Sequence, residues 1–292
     1  MSQWTHLLKN LGIWEGSFTH FSNEGIKKSS VPSRVSLEGL DNNRTVSQVV
    51  QMLSADRQTV VSERNLRYQT LSRSILVFES GAFSQGSMQY GPFSDFGAEL
   101  GFIWGDRRCR LVQLFDKDSQ LSAFTLIREY RQGADTDDLH QLNARPLKID
   151  DLVGDWRGTA TTLYPDWSPD SEAVTQMVVQ KEGDRLIETS TTSPATRQWH
   201  IRACPSVSAT GSTTDSTPIT LLEAGQASQQ LRAILFPGGV MSTTPQIIPK
   251  REAFNLEATW YVTADHRQRM IRQYNHTGAW NALTLVDERR VV

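Results

Sequence analysis

Residues 106–131 read DRRCRLVQLFDKDSQLSAFTLIREYR, and residues 265–290 read DHRQRMIRQYNHTGAWNALTLVDERR. The stretches align without a gap and agree at eight of 26 positions: Asp106, Arg108, Arg110, Ala123, Thr125, Leu126, Glu129 and Arg131 meet Asp265, Arg267, Arg269, Ala282, Thr284, Leu285, Glu288 and Arg290. Self-similarity of this kind fixes an architecture before any local pattern does. A second echo lies upstream, where Gly12-Ile13-Trp14-Glu15-Gly16 recurs 142 positions later as Gly154-Asp155-Trp156-Arg157-Gly158, each after a Leu-rich lead-in. Between these anchors Phe78, Gly81, Ser84, Phe96 and Glu99 match Phe236, Gly239, Ser242, Phe254 and Glu257 at an offset of 158. The offset grows from 142 to 158, so the second copy carries 16 extra residues in its middle. Polar tracts between residues 189 and 218 are poor in apolar side chains and read as extended loops or hairpin tips.

The 292 residues therefore divide into an N-terminal half, 1–132, a linker over 133–145 without apolar periodicity, and a C-terminal half, 146–292. Most segments alternate polar and apolar residues or are β-branched and aromatic, including Val46 to Leu53, Glu99 to Trp104, Leu121 to Glu129, Leu256 to Val262 and Ala282 to Val286. Helical patterning is confined to Trp4 to Leu11 and Ile149 to Val153, each just before a Gly-x-Trp. The expected fold is all-β, two antiparallel barrels of eight to ten strands with a short helix before each. A closed barrel removes the edge strands that so many segments would otherwise expose.

Composition narrows the function. A formal charge of −2 and the absence of a Lys/Arg cluster argue against nucleic acid as partner. The longest apolar runs are four or five residues, such as Ile75 to Phe78, so no membrane span is expected. No secretory leader is expected at the N-terminus, and Cys109 and Cys204 read as unpaired thiols of a reducing compartment, which places the chain in the cytoplasm. The six histidines lack metal-ligand spacing, and neither Gly-x-Ser-x-Gly nor a phosphate-cradling loop occurs, so no metal or cofactor is expected.

A short helix, a Gly-x-Trp that opens the first strand and a last strand carrying Thr-Leu-x-x-Glu-x-Arg together resemble the calycin, or lipocalin-like, pattern. The chain also resembles a mainly cyanobacterial family of domains of unknown function. The stretches that carry this resemblance are Asn10 to Phe18, Gly81 to Gln89, Leu111 to Asp118 and Tyr164 to Trp167. It implies two tandem lipocalin-like barrels and no established activity. The Glu-x-Arg ending is similar to that of phycobiliprotein chromophore lyases, single barrels that hold a linear tetrapyrrole.

Candidate binding residues come from the shared faces. On the last strand Glu129 and Arg131 share a face with Ala123, Thr125 and Ile127, which suits a barrel interior with room for a ligand. The plainer role of Arg131 and Arg290 is a cation–π lock on Trp14 and Trp156 that closes each barrel base. Arg108 and Arg110 lie two apart on one strand face. That face is solvated by default; aimed inward, the pair is an anion site with Glu99 as a neutralising partner. The segment Gly81 to Gly101 mixes five glycines with aromatics including Tyr90 and Phe93, so it is either core and turn chemistry or a ligand mouth. That composition favours the N-terminal barrel for binding. Tyr164-Pro165-Asp166-Trp167 is a rigid aromatic turn, a lid or a contact between halves.

Three functions compete. The first is a carrier or chaperone for a hydrophobic, carboxylate-bearing small molecule such as a tetrapyrrole, carotenoid or lipid. The second is a cyclase, isomerase or chromophore lyase using the same pocket with one acid. The third is a pair of filled barrels that serve protein contacts only.

Overall fold

The computed structural model describes residues 2–134, 147–183, 185–192, 195–203, 221–224 and 231–291. The first half opens with a helix, α1 (Gln3–Leu7), continued by a 3-10 turn over Leu8–Asn10. Nine strands follow: β1 (Gly12–Ser22), β2 (Lys27–Leu40), β3 (Thr45–Leu53), β4 (Val60–Tyr68), β5 (Ile75–Val77), β6 (Phe83–Gly86), β7 (Phe96–Trp104), β8 (Arg107–Phe115) and β9 (Leu121–Arg131). A second short helix, α2 (Ile149–Leu152), precedes ten more. These are β10 (Gly154–Leu163), β11 (Ser171–Glu182), β12 (Arg185–Thr192), β13 (Ala195–Ala203), β14 (Leu221–Ala224), β15 (Leu231–Phe236), β16 (Val240–Pro245), β17 (Phe254–Tyr261), β18 (His266–Tyr274) and β19 (Trp280–Val291). No helix among the described residues is long and apolar enough to cross a membrane.

The protein is thus a tandem of antiparallel meanders, each with its last strand returning to pair with its first. The second closes completely, in the order β10 through β19. The first curls in the order β4-β3-β2-β1-β9-β8-β7-β6-β5 and leaves β4 and β5 unpaired with each other. Helix α1 lies along that seam. The Val77 amide donates to Gln3 Oε1 at 2.7 Å, Trp4 Nε1 donates to the Asn43 carbonyl at 2.7 Å, and the Trp4 ring meets Tyr68 edge-on. The tract expected as loops or hairpin tips is in part strand: β12 and β13 pair over eight residues, because Thr and Ser tolerate the extended backbone. Residues 204–218 of that tract lie outside the described residues.

The two glycines of each Gly-x-Trp-x-Gly have separate causes. Gly12 and Gly154 adopt φ of +125° and +150°, a backbone that disfavours side chains. At Gly16 and Gly158 a Cβ would meet the carbonyl oxygens of Arg128 and Asp287 on the neighbouring last strand, at 1.9 and 1.8 Å. The motif therefore lets the first and last strands approach closely, with Trp14 and Trp156 fully buried between the glycines.

Strands β8, β9 and β19 carry runs of consecutive buried residues, so both of their faces are largely covered. The outer faces of β7, β8, β17 and β18 form one core joining the halves, with Phe96, Leu100, Phe102 and Leu111 against Phe254, Leu256, Trp260 and Met270. The contact is quasi-twofold. Leu121 N donates to Gln246 O at 2.9 Å, and the corresponding residues in the other half, Trp280 N and Met88 O, meet at 2.7 Å. Ile248 N bonds Ser119 O, and Tyr90 N likewise bonds Gly278 O. The halves meet as two protomers of an isologous dimer would, each offering the same surface.

Candidate functional site

The inward face of β7 to β9 holds Glu99, Arg108, Arg110 and Glu129 at the base of the first half. Arg108 is 4% exposed rather than solvated, and its Nε and Nη2 donate to Glu129 at 2.7 and 3.0 Å. Arg110 donates to both oxygens of the same carboxylate at 3.0 and 2.9 Å and reaches Glu99 with Nη1 at 2.8 Å. Burial opposes the Glu129 charge, but the two guanidiniums prevail and hold its carboxyl at about 2. Trp14 lies within 4.5 Å of the Arg108 guanidinium and 4.4 Å of Arg131. Arg131 also bonds Asp106 and the Leu11 carbonyl, tying the last strand to the segment before the first.

The second half repeats this base with looser bonding. Arg267 stacks on Trp156 at 4.2 Å and donates from Nε to Glu288 at 2.7 Å. Its Nη1 turns to the Tyr261 hydroxyl. Arg269 pairs with Glu257 at 3.0 Å and stands 3.6 Å from Glu288, whose Oε1 has no hydrogen-bond partner among the described residues. Arg290 covers Trp156 at 4.6 Å and holds the Asp151 carbonyl of α2.

Above this looser base the second barrel encloses a cavity of about 980 Å3. Its floor includes Leu152, Met177, Tyr261 and Arg267, its wall Ala160, Thr175, Glu188, Glu257, Thr259 and Arg269, and its mouth Tyr164, Asn255, Gln273 and Asn281. The cavity runs between an ionic base and a polar rim, with apolar and Thr surface between.

The first-barrel candidates lie elsewhere. None of Glu99, Arg108, Arg110, Glu129, Arg131, Tyr90 and Phe93 lines this cavity. Tyr90 is in the core between the halves, edge-on to Phe96 and Phe254, with its hydroxyl against Ser119. Phe93 is 85% exposed at a positive φ. Of the aromatics between Gly81 and Gly101, Tyr90 and Phe96 pack into the core between the halves. On the first strand Phe18 lies 142 positions before the cavity-lining Ala160, and the Phe18 ring sits under the Arg110 guanidinium at 5.4 Å. The Tyr164–Trp167 turn stands at the cavity mouth, with Tyr164 inward and Trp167 56% exposed.

Residues that sequence reasoning passed over are Ala160, Thr175, Glu188 and Thr259. Their positions follow from pairing register, since Leu37 faces Gln48 across β2 and β3 as Val179 faces Glu188 across β11 and β12. Glu188 therefore replaces Gln48. Burial raises its carboxyl pKa, with Arg269 opposing and Glu257 adding to the rise.

Comparison with known proteins places this geometry in a family. A model described as domain of unknown function DUF3598, N-terminal, matches residues 1–134, and one described as biogenesis factor required for ATP synthase 1, C-terminal domain, matches residues 143–291. A crystal structure of a DUF3598 protein from Nostoc punctiforme is 38% identical, covers 100% of both chains and superposes with a TM-score of 0.86. The chain belongs to the DUF3598 family. An S-type phycobiliprotein lyase from Guillardia theta is similar at 12% identity over 49% of this chain and 90% of its own, with a TM-score of 0.37. None of the curated proteins compared matches the chain. Within the DUF3598 chain the model boundaries at 134 and 143 bracket the polar segment between the barrels.

Proposed function

We propose that the chain binds one hydrophobic small molecule inside its C-terminal barrel and acts as its carrier or chaperone. The cavity of about 980 Å3 carries this reading, since it is roomy enough for a tetrapyrrole, a lipid or part of a carotenoid. A carboxylate on the ligand would compete with Glu288 and Glu257 for Arg267 and Arg269, so the support lies with the apolar body of the molecule. Native mass spectrometry and absorbance of the intact chain test the reading. One bound molecule per chain is expected; a protein that emerges empty and takes up no bilin, carotenoid or fatty acid would count against it. An enzymatic use of the same cavity, as cyclase, isomerase or lyase, draws support from the raised carboxyl of Glu188, suited to a general acid, and is separated from carriage by turnover of the bound molecule.

A second reading is favoured by one observation, the match of residues 143–291 to a domain named for an ATP synthase biogenesis factor. In that reading the barrels serve assembly of the ATP synthase. Loss of the chain would then lower ATP synthase content, and the chain would co-purify with ATP synthase subunits; unchanged content in its absence would contradict it.

A further inference from the structure

The two halves turn their rims, the ends opposite Trp14 and Trp156, to one side of the molecule. Backbone bridges join rim to rim, Gln89 with Ala279 and Gln120 with Ile247. Arg107, at the base of the first half, donates to the Val262 carbonyl at the base of the second at 2.8 Å. The rims therefore share one face, and the mouth of the C-terminal cavity opens in it. Exposed apolar side chains gather there. Among the described residues ten large hydrophobic side chains are exposed, and only Trp104 and Val291 lie toward the base; the other eight, Phe93, Trp167 and Ile247 among them, lie toward the rims. Single exposed hydrophobics are ordinary, whereas their confinement to one end marks an interaction face.

The two exposed aromatics of the rims are held at a cost. Phe93 and Trp167 adopt φ of +67° and +66°, a left-handed backbone that is unfavourable for a bulky side chain. Phe93 follows Pro92 in a turn where Ser94 Oγ donates to the Gly91 carbonyl at 2.8 Å, a position that glycine ordinarily takes. Trp167 ends the Tyr164–Trp167 turn, its amide donating to the Tyr164 carbonyl at 3.1 Å. Neither ring gains burial in return, so the strain serves something outside the fold. Charge narrows what that is. The rim loops, residues 23–26, 54–59, 87–95, 116–120, 164–170, 246–253 and 275–279, carry eight Asp and Glu against four Lys and Arg, so a negatively charged surface is repelled. We propose that the rim face docks on a lipid surface of no net charge, with Phe93 and Trp167 inserted at the level of the head groups. Apolar tips on the loops of two barrels suit a fluid surface, which receives each tip separately, whereas a rigid protein partner has to match all of them at once. Docking holds the mouth of the C-terminal cavity against the lipid. It stands on the rim loops and goes beyond the cavity reading.

The test is flotation of the full chain with extruded vesicles, of phosphatidylcholine alone and of phosphatidylcholine with an equal part of phosphatidylglycerol. The proteins are the unaltered chain, the double variant Phe93→Ser with Trp167→Ser, Ile247→Ser on a third rim loop, and Val291→Ser at the opposite end. Expected is partition of the unaltered chain onto phosphatidylcholine vesicles and weaker partition onto the mixed ones. The double variant should lose about tenfold or more in partition, since two aromatic rings no longer leave water. Ile247→Ser should lose less, and Val291→Ser should match the unaltered chain. All these side chains are exposed, so the substitutions spare the core. No partition onto phosphatidylcholine, equal partition of the double variant, or stronger partition onto the mixed vesicles overturns the proposal. Each of those results leaves the cavity reading standing, because ligand occupancy by native mass spectrometry is measured without vesicles.

Discussion

Arg272 donates to Ser84 Oγ across the joint between the halves at 3.1 Å, and Gln113, its counterpart, donates to Ser242 Oγ at 2.8 Å. Arg272 is fully buried, stacks on Trp280 at 3.5 Å and also reaches the Ser87 carbonyl. Removing it as Arg272→Ala deletes packing and leaves acceptors without donors, a loss of about 2–4 kcal/mol. Denaturant unfolding should show an earlier midpoint and a separation into two transitions as the halves uncouple. A single unchanged transition would show that the joint does not depend on this residue.

Acid should weaken the first half through Glu129. Its carboxyl sits at about 2 in the folded chain against an ordinary value of 4.5, so the folded state favours the charged form. The stabilisation, about 3 kcal/mol, is fully present above the unfolded pKa and is lost as pH falls toward the folded one. Glu129→Gln should remove that pH dependence. It should also cost about 3–5 kcal/mol at neutral pH by leaving Arg108 and Arg110 underpaired. Melting temperature against pH checks both effects.

Cys109 is 2% exposed and burial pushes its thiol up to about 12, so it is unreactive in the native chain. A maleimide reagent should label it only after denaturant is added. Rapid labelling of Cys109 in native buffer, located by peptide mapping, would contradict the packing of β8 against the second half.

Much of the architecture was legible because the repeat is strongest where both faces of a strand are constrained. The 106–131 and 265–290 stretches lie on the joint with one face and inside the barrels with the other, and neither face tolerates drift. Gly16 and Gly158 persist because any side chain would collide with the returning last strand. The role of the aromatics was not legible by the same route. Aromatics such as Tyr90 and Phe96 look alike in sequence whether they line a mouth or a joint, and only the pairing of the halves decides. Glu188 stands at the edge of a Thr- and Ser-rich tract whose strand character comes from pairing with β11 and β13.

The central claim is that the cavity of the second barrel takes one ligand beside Ala160, where the first half places the Phe18 ring. Phe18→Ala should cost about 2 kcal/mol in stability, less than a fully buried Phe, because the ring is only half-buried. Its lost stacking under Arg110 adds about 0.5 kcal/mol. The most direct measurement is the stoichiometry of bound hydrophobic ligand, by native mass spectrometry, in the unaltered chain and in Ala160→Phe. The account predicts one molecule on the unaltered chain and none, or a loss of at least about tenfold in affinity, once the Phe ring occupies the cavity. Equal occupancy in the two proteins, with Ala160→Phe folded by circular dichroism, would contradict it.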